Sequence, residues 1–202
     1  MKFSMTESFK WSTFIAVITL VLAAIFSIVS SFILSGVSIA VGMFVVFMLI
    51  LIGIVFDMIG LAAASAREVP FHAMAAEKIP GAKEAIHICR RADRVSSFCN
   101  DVIGDISGIV SGTASAVIVL QMVFEMGAGE DSPLHFALSV VFTSIVAALT
   151  VGGKAAGKTL AIRFSTNIVL YVGKFFHFLA QKFHISIFNG QSNKRKKERV
   201  NP

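Results

Sequence analysis

The sequence predicts an all-α integral membrane protein: four transmembrane helices, a cytoplasmic helical hairpin between the second and third, and a C-terminal amphipathic interfacial helix. Three observations carry this. Of 202 residues, 55% are hydrophobic and only 15% charged, and the mean hydropathy is +0.80, outside the range of soluble domains. The apolar residues gather into four runs, each near the roughly 20 residues that cross a bilayer. Finally, every Lys and Arg falls on one side of those runs.

The first run, "FIAVITLVLAAIFSIVSSFIL" (14–34), is too long for a signal-peptide core, and no clear cleavage pattern follows it. It is therefore expected to stay as a first helix. After "SGVS", the run "IAVGMFVVFMLILIGIVFDMIGLAAA" (39–64) is a second span whose only charge is Asp57. The third covers about 101–124, and the fourth, "LHFALSVVFTSIVAALTVGG", covers 134–153.

Orientation follows from the positive-inside rule. Lys2 and Lys10 precede the first span, and Arg67, Lys78, Lys83, Arg90, Arg91 and Arg94 lie between the second and third. The remaining Lys and Arg follow the fourth. The opposite loops are "SGVS", without charge, and "EMGAGEDSP", with three acids and no base. Both termini are predicted to be cytoplasmic, in a multi-pass protein of the plasma membrane. The net charge of +6 then needs no nucleic-acid partner, since anionic lipid faces the same side. The end "NKRKKERV" (193–200) reads as a disordered, lipid-facing tail, with a nucleic-acid patch as the weaker alternative.

Between the second and third spans, residues 65–97 are punctuated by Pro80 and Gly81. Phe71, Met74 and Ala75 on one side, and Ala82, Ala85, Ile86 and Cys89 on the other, repeat at helical spacing. The segment is expected to be a helical hairpin beneath the membrane. Cys89 and Cys99 lack metal-ligand spacing and read as free, structural thiols. After the fourth span, Arg163, Asn167, Lys174, His177, Gln181 and His184 share one arc of a wheel over 157–186. Leu160, Ile162, Ile168, Val169, Phe176 and Leu179 fill much of the rest. This is the expected interfacial helix, with snorkelling bases; a fifth span would have to bury Lys174.

The third span raises the functional question. In "NDVIGDISGIVSGTAS" (100–115), Asp101, Gly104, Asp105, Ser107, Gly108, Ser111, Gly112 and Ser115 occupy one half of the wheel, and Val102, Ile103, Ile106, Val110 and Val117 the other. The apolar half is expected to meet lipid. The small residues form a small-xxx-small packing seam within or between chains. A carboxylate inside a span costs a few kcal/mol on insertion scales and usually serves an ion or a partner. Asp105 lies a turn inside the span. Asp101, at its end, is equally consistent with a simple interfacial acid.

These residues also carry a resemblance. From about 40 to 188 the chain resembles the CNNM transmembrane domain, the membrane module of the cyclin-M/CorC magnesium transporters. In that family a span ends in a polar Ser-Gly-x-Glu stretch before a hairpin with a Gly-Ala-Lys-like turn. Here "FDMIGLAAASAREV" is followed by "PGAKEAIHICRRADRVSS". The family's next span opens on Ile-Gly-Asn, matched by "IGD" (103–105) with Asp for Asn. Its last span ends in Gly-Glu-x-x-Pro-Lys, and "GKAAGKTLA" (153–161) matches at Gly153 and Lys158, with Lys154 for Glu and Gly157 for Pro. The resemblance divides the chain into an extra helix (1–36), a CNNM-like domain (37–188) and a basic tail (189–202). It would make this a short form without the family's CBS domains.

The resemblance implies a homodimeric bundle in the bilayer that binds and moves a divalent cation, Mg²⁺ first. Mg²⁺ takes six oxygens near 2.1 Å and keeps several waters, so one or two carboxylates with hydroxyls and carbonyls suffice. The expected ligands are Asp105, Asp57 and Asp101, with Ser107, Ser111 and Gly104 as weaker candidates. The competing expectation is a non-transporting sensor or assembly subunit on the same scaffold. An enzyme is not expected. His72, His87, His135, His177 and His184 are scattered, and no His-Glu-x-x-His or nucleophile motif occurs.

Overall fold

The computed structural model describes residues 5–34, 36–129 and 131–183, and every regular element among them is helical. In chain order these are α1 (Met5–Leu34), α2 (Ile39–Ser65), α3 (Val69–Ala76), α4 (Ala82–Arg90) and α5 (Ala92–Ser97). A π-helical segment (Phe98–Gly104) follows, then α6 (Asp105–Glu125), α7 (Pro133–Arg163) and α8 (Ser165–Phe183). Four stretches are long and apolar enough to cross a membrane: Phe9–Phe32, Ile39–Ser65, Ala92–Glu125 and Pro133–Arg163. The tail 189–202 and His184 lie outside the described residues.

Local chemistry sets the ends of these elements. Ser132 caps α7 by accepting the His135 amide at 3.2 Å, with Pro133 pre-set at the first helical position. After α6, Gly127 takes φ +73°. The Gly127 amide returns to the Phe124 carbonyl and the Ala128 amide to the Val123 carbonyl, which closes a Schellman motif. Lys78, at φ +59°, plays the same part after α3, with Ile79 donating to Met74. The next turn is type II: Pro80 precedes Gly81 at φ +84°, and Ala82 donates to Ile79 at 3.3 Å.

Within the apolar layer, α2 and the third membrane helix form the centre, α7 packs on both, and α1 flanks α6. Lipid tails are as apolar as Leu, so close backbone approach holds such helices together. Gly53 of α2 lies against Ser107, and Gly60 against Asn100 and Cys99. On α7, Gly153 and Gly157 lie against Ile54 and Met58 of α2, where an added Cβ would collide. Val46, Ile50, Ala114, Ile118 and Val146 fill the opposite end of the bundle.

Several expectations are corrected. The third membrane helix starts at Ala92, not near 101, because α5, the π segment and α6 run on continuously; the hairpin proper is therefore α3 and α4. The half of that helix expected to meet lipid is covered. Val102, Ile106 and Val110 are buried beneath Ile15, Ile18, Leu22 and Ala23 of α1. Of the expected glycine seam only Gly104 is packed, since a Cβ at Gly108 or Gly112 would meet nothing. The stretch 157–186 is not one helix. Residues 157–163 belong to α7, whose Gly- and Ala-rich end packs on α2, and the chain bends at Phe164 (φ −111°, ψ 24°) before α8.

At the basic end of the bundle the short helices have their own core. Ala62, Ala63, Phe71, Ala85, Ile86, Ile88, Ala161 and Val169 are buried together. Gly81 and Gly173 bring the α4 turn onto the backbone of α8. Two acids tie the periphery. The Glu68 carboxylate accepts from Arg90 Nε at 2.6 Å and pairs with His72 Nε2 at 2.8 Å. Glu84 pairs with His177 Nδ1 of α8 at 2.9 Å. Cys89 and Cys99 are free thiols; burial, then the Glu68 charge, pushes the Cys89 thiol up.

Gly157→Leu should destabilise the detergent-solubilised protein by about 1–3 kcal/mol, the usual cost of overpacking. Gly108→Leu should leave the protomer's melting unchanged and act only on oligomer size; parallel melting and light-scattering measurements separate the two. His72, then Arg90, holds Glu68 below its ordinary range. A depressed carboxyl stabilises above its unfolded pKa and loses that contribution as pH falls through the folded value. Hydrogen exchange of α3 and the end of α4 should therefore rise on acidification below the ordinary Glu range. Glu68→Gln should show the same rise at neutral pH, and an unchanged pattern would mean the clip holds nothing.

Candidate functional site

The site grows out of the register between α2 and the third membrane helix. Gly53 and Gly60 lie one turn to either side of Asp57 on the same face of α2. Gly53 meets Ser107 and the Gly104 carbonyl, whereas Gly60 meets Asn100. Asp57 thus comes opposite the Gly104 end of the π segment. Its residue is only 5% exposed, yet its Oδ2 has no hydrogen-bond partner, and neither does the Asn100 Oδ1. Asn100 donates from Nδ2 to Ser96 Oγ at 3.4 Å, which leaves its oxygen turned toward α2.

Lys154 enters the same place from α7. Its Nζ donates to the Gly104 carbonyl at 3.3 Å and stands 3.5 Å from Asp105 Oδ1, with side chains 20% and 63% exposed respectively. Gly104 is closed in by the Cys99 carbonyl and by Lys154 Nζ. The Gly104 carbonyl, Asp105 and Lys154 therefore meet at one end of the α2–π seam, and the unpartnered oxygens of Asp57 and Asn100 lie further along it. A π segment is a frequent mark of functional positions in long helices.

No known family model, curated protein or solved structure matches the chain. The resemblance drawn from its motifs thus stands on those residues alone.

Of the expected ligands, the structure brings Asp57, Gly104 and Ser107 to one seam. Ser107 is buried, and its hydroxyl donates to the Leu49 carbonyl at 2.7 Å. Ser111 sits a turn further along, buried, and donates to Gly108 at 2.9 Å. Asp105 lies beside the seam and is paired with Lys154. Asp101 is exposed. Among the described residues no group of three or more His, Cys, Asp or Glu stands together as a metal cage, so an ion here would need carbonyl, amide and water oxygens besides Asp57.

Two participants went unread in the sequence. Asn100 has a legible signal, falling three residues from Ile103 and four from Gly104 on the polar side of the helix. Lys154 has another, standing where the resembling family carries Glu; its partner on another helix is visible only in the fold.

Proposed function

We propose that the chain is a multi-pass protein of the plasma membrane, both termini cytoplasmic, that moves a divalent cation, most simply Mg²⁺, along the seam between α2 and α6. The observation that carries this reading is Asp57. A buried carboxylate oxygen without a donor is costly in hydrocarbon surroundings, and a cation is the partner that removes the cost. The donor set suits Mg²⁺ chemically: one carboxylate, the Asn100 amide oxygen and backbone carbonyls, with water completing the shell. The one-sided placement of Lys and Arg supports the orientation.

A homodimer fits the surface of α6. Asp105, Ile109 and Thr113 are exposed along a face where Gly108 and Gly112 have no neighbour in the protomer. A second copy would bring small residues into contact and remove the Asp105–Lys154 pair from lipid.

One observation favours the second reading, a non-transporting module on the same scaffold. The Lys154 ammonium occupies the neighbourhood of Gly104 and Asp105, where it neutralises one carboxylate and repels a second cation. The readings separate in a Mg²⁺ titration of the purified protein followed by thermal unfolding. Transport predicts that wild type melts higher at millimolar Mg²⁺, that Asp57→Ala abolishes the response, and that Asp57→Asn weakens it. Lys154→Gln removes a like charge from the same seam and should tighten binding, roughly tenfold at close range. If neither wild type nor Lys154→Gln responds to Mg²⁺, the seam is a packing device and the module reading stands.

A further inference from the structure

A second feature lies away from this seam, at the basic end of the bundle. Between the end of α2, the α4–α5 bend and α8 is a cavity of about 600 Å³, within the ~300–1,000 Å³ of small-ligand sites. Ile59 of α2, Ile88 of α4, Val95 of α5, Phe98 of the π segment, and Val172 and Phe175 of α8 form part of its apolar wall. The wall is not sealed. Tyr171 is 70% exposed, Phe175 61% and Phe98 41%, so the cavity opens sideways along an apolar surface.

Its polar margin has one sign. Arg91, Arg94 and His87 line it, and no Asp or Glu does. Arg94 stacks over Trp11 of α1 at 5.1 Å, which holds the guanidinium at the margin without neutralising it. Lys174 stands over the Tyr171 ring at 5.6 Å, beside the cavity rather than in its lining. Arg91 and Arg94 flank the start of the third candidate span at Ala92, where a membrane helix would meet lipid headgroups.

We propose that this groove binds one anionic glycerophospholipid, with an acyl chain along the Ile59, Val95 and Phe175 wall and the phosphate between Arg91 and Arg94. Charge complementarity selects the occupant. A neutral lipid leaves the cations without partners, a free phosphate makes no use of the apolar wall, and the basic segment 193–200 of this chain carries the wrong charge. Bound there, the lipid ties α8 and α4 to α2, the contacts that hold the basic-end core together. The inference rests on the membrane placement of the chain but not on cation transport, so the lipid and Mg²⁺ experiments fail independently.

The test uses the full-length protein, delipidated in detergent and given equimolar phosphatidylglycerol and phosphatidylcholine, with bound species read by native mass spectrometry. Retention of phosphatidylglycerol over phosphatidylcholine is expected. Arg91→Gln with Arg94→Gln should reduce that preference about tenfold or more, the scale of two basic residues at an anionic surface. Phe175→Ala, an exposed wall residue, should weaken retention without changing the preference or the lipid-free melting temperature. Equal retention of both lipids would overturn the proposal, as would an Arg91→Gln, Arg94→Gln variant that binds like wild type. So would inorganic phosphate displacing the lipid's stabilising effect at equal concentration, which would mark a simple anion site, or a second protein copy occupying the groove in place of lipid.

Discussion

The close approach of α2 to the third membrane helix sets the rest of the structure. Gly53 against Ser107 and Gly60 against Asn100 remove two side chains from the interface, and the helices then meet nearly backbone to backbone. In hydrocarbon this contact replaces the hydrophobic drive that water supplies elsewhere. It also decides which residue lies between the two glycines: Asp57 is enclosed because its neighbours one turn away are too small to hold the helices apart.

Electrostatics then follows from position. A buried acid, an amide oxygen without a donor and a helix whose hydrogen-bond pattern is irregular create a place of negative potential. Lys154 answers part of it from α7, reaching the Gly104 carbonyl and Asp105. The chain thus sets an acid, Asp105, beside a base, Lys154, from another helix. The net effect is a seam with a built-in counter-charge.

The apolar runs were legible because membrane crossing imposes length and hydropathy directly on sequence. The Pro80–Gly81 turn was legible for a similar reason, since a type II turn demands glycine at positive φ. Packing direction was not. The wheel of the third span separated Val102, Ile106 and Val110 from the polar half, but lipid and α1 are equally apolar, so it assigned to lipid a face that α1 covers. The same ambiguity hid the true glycine seam. Gly153 and Gly157 have the same spacing as Gly108 and Gly112, and only the fold tells which pair meets a neighbour. Asp57 and Gly104 stood out because a charge and a small residue inside a span are costly or permissive wherever they fall. Lys154 was missed because its partners, Gly104 and Asp105, are far along the chain, and Asn100 because the residue it lies against, Gly60, is on another helix.

Asp57 opposite Gly104 depends on one register, and cysteine pairing reads that register directly. With Cys89 replaced by Ala and Asn100 by Ala to make room, Gly60→Cys places a Cβ 3.1 Å from that of Cys99, close to the ~3.5–4.5 Å of disulfides. Oxidation in native membranes should consume both thiols, as read by maleimide labelling and intact mass. Ile52→Cys, exposed on α2, should leave both free. If Gly60→Cys stays reduced while Ile52→Cys pairs with Cys99, the helices meet in another register and Asp57 does not face the π segment.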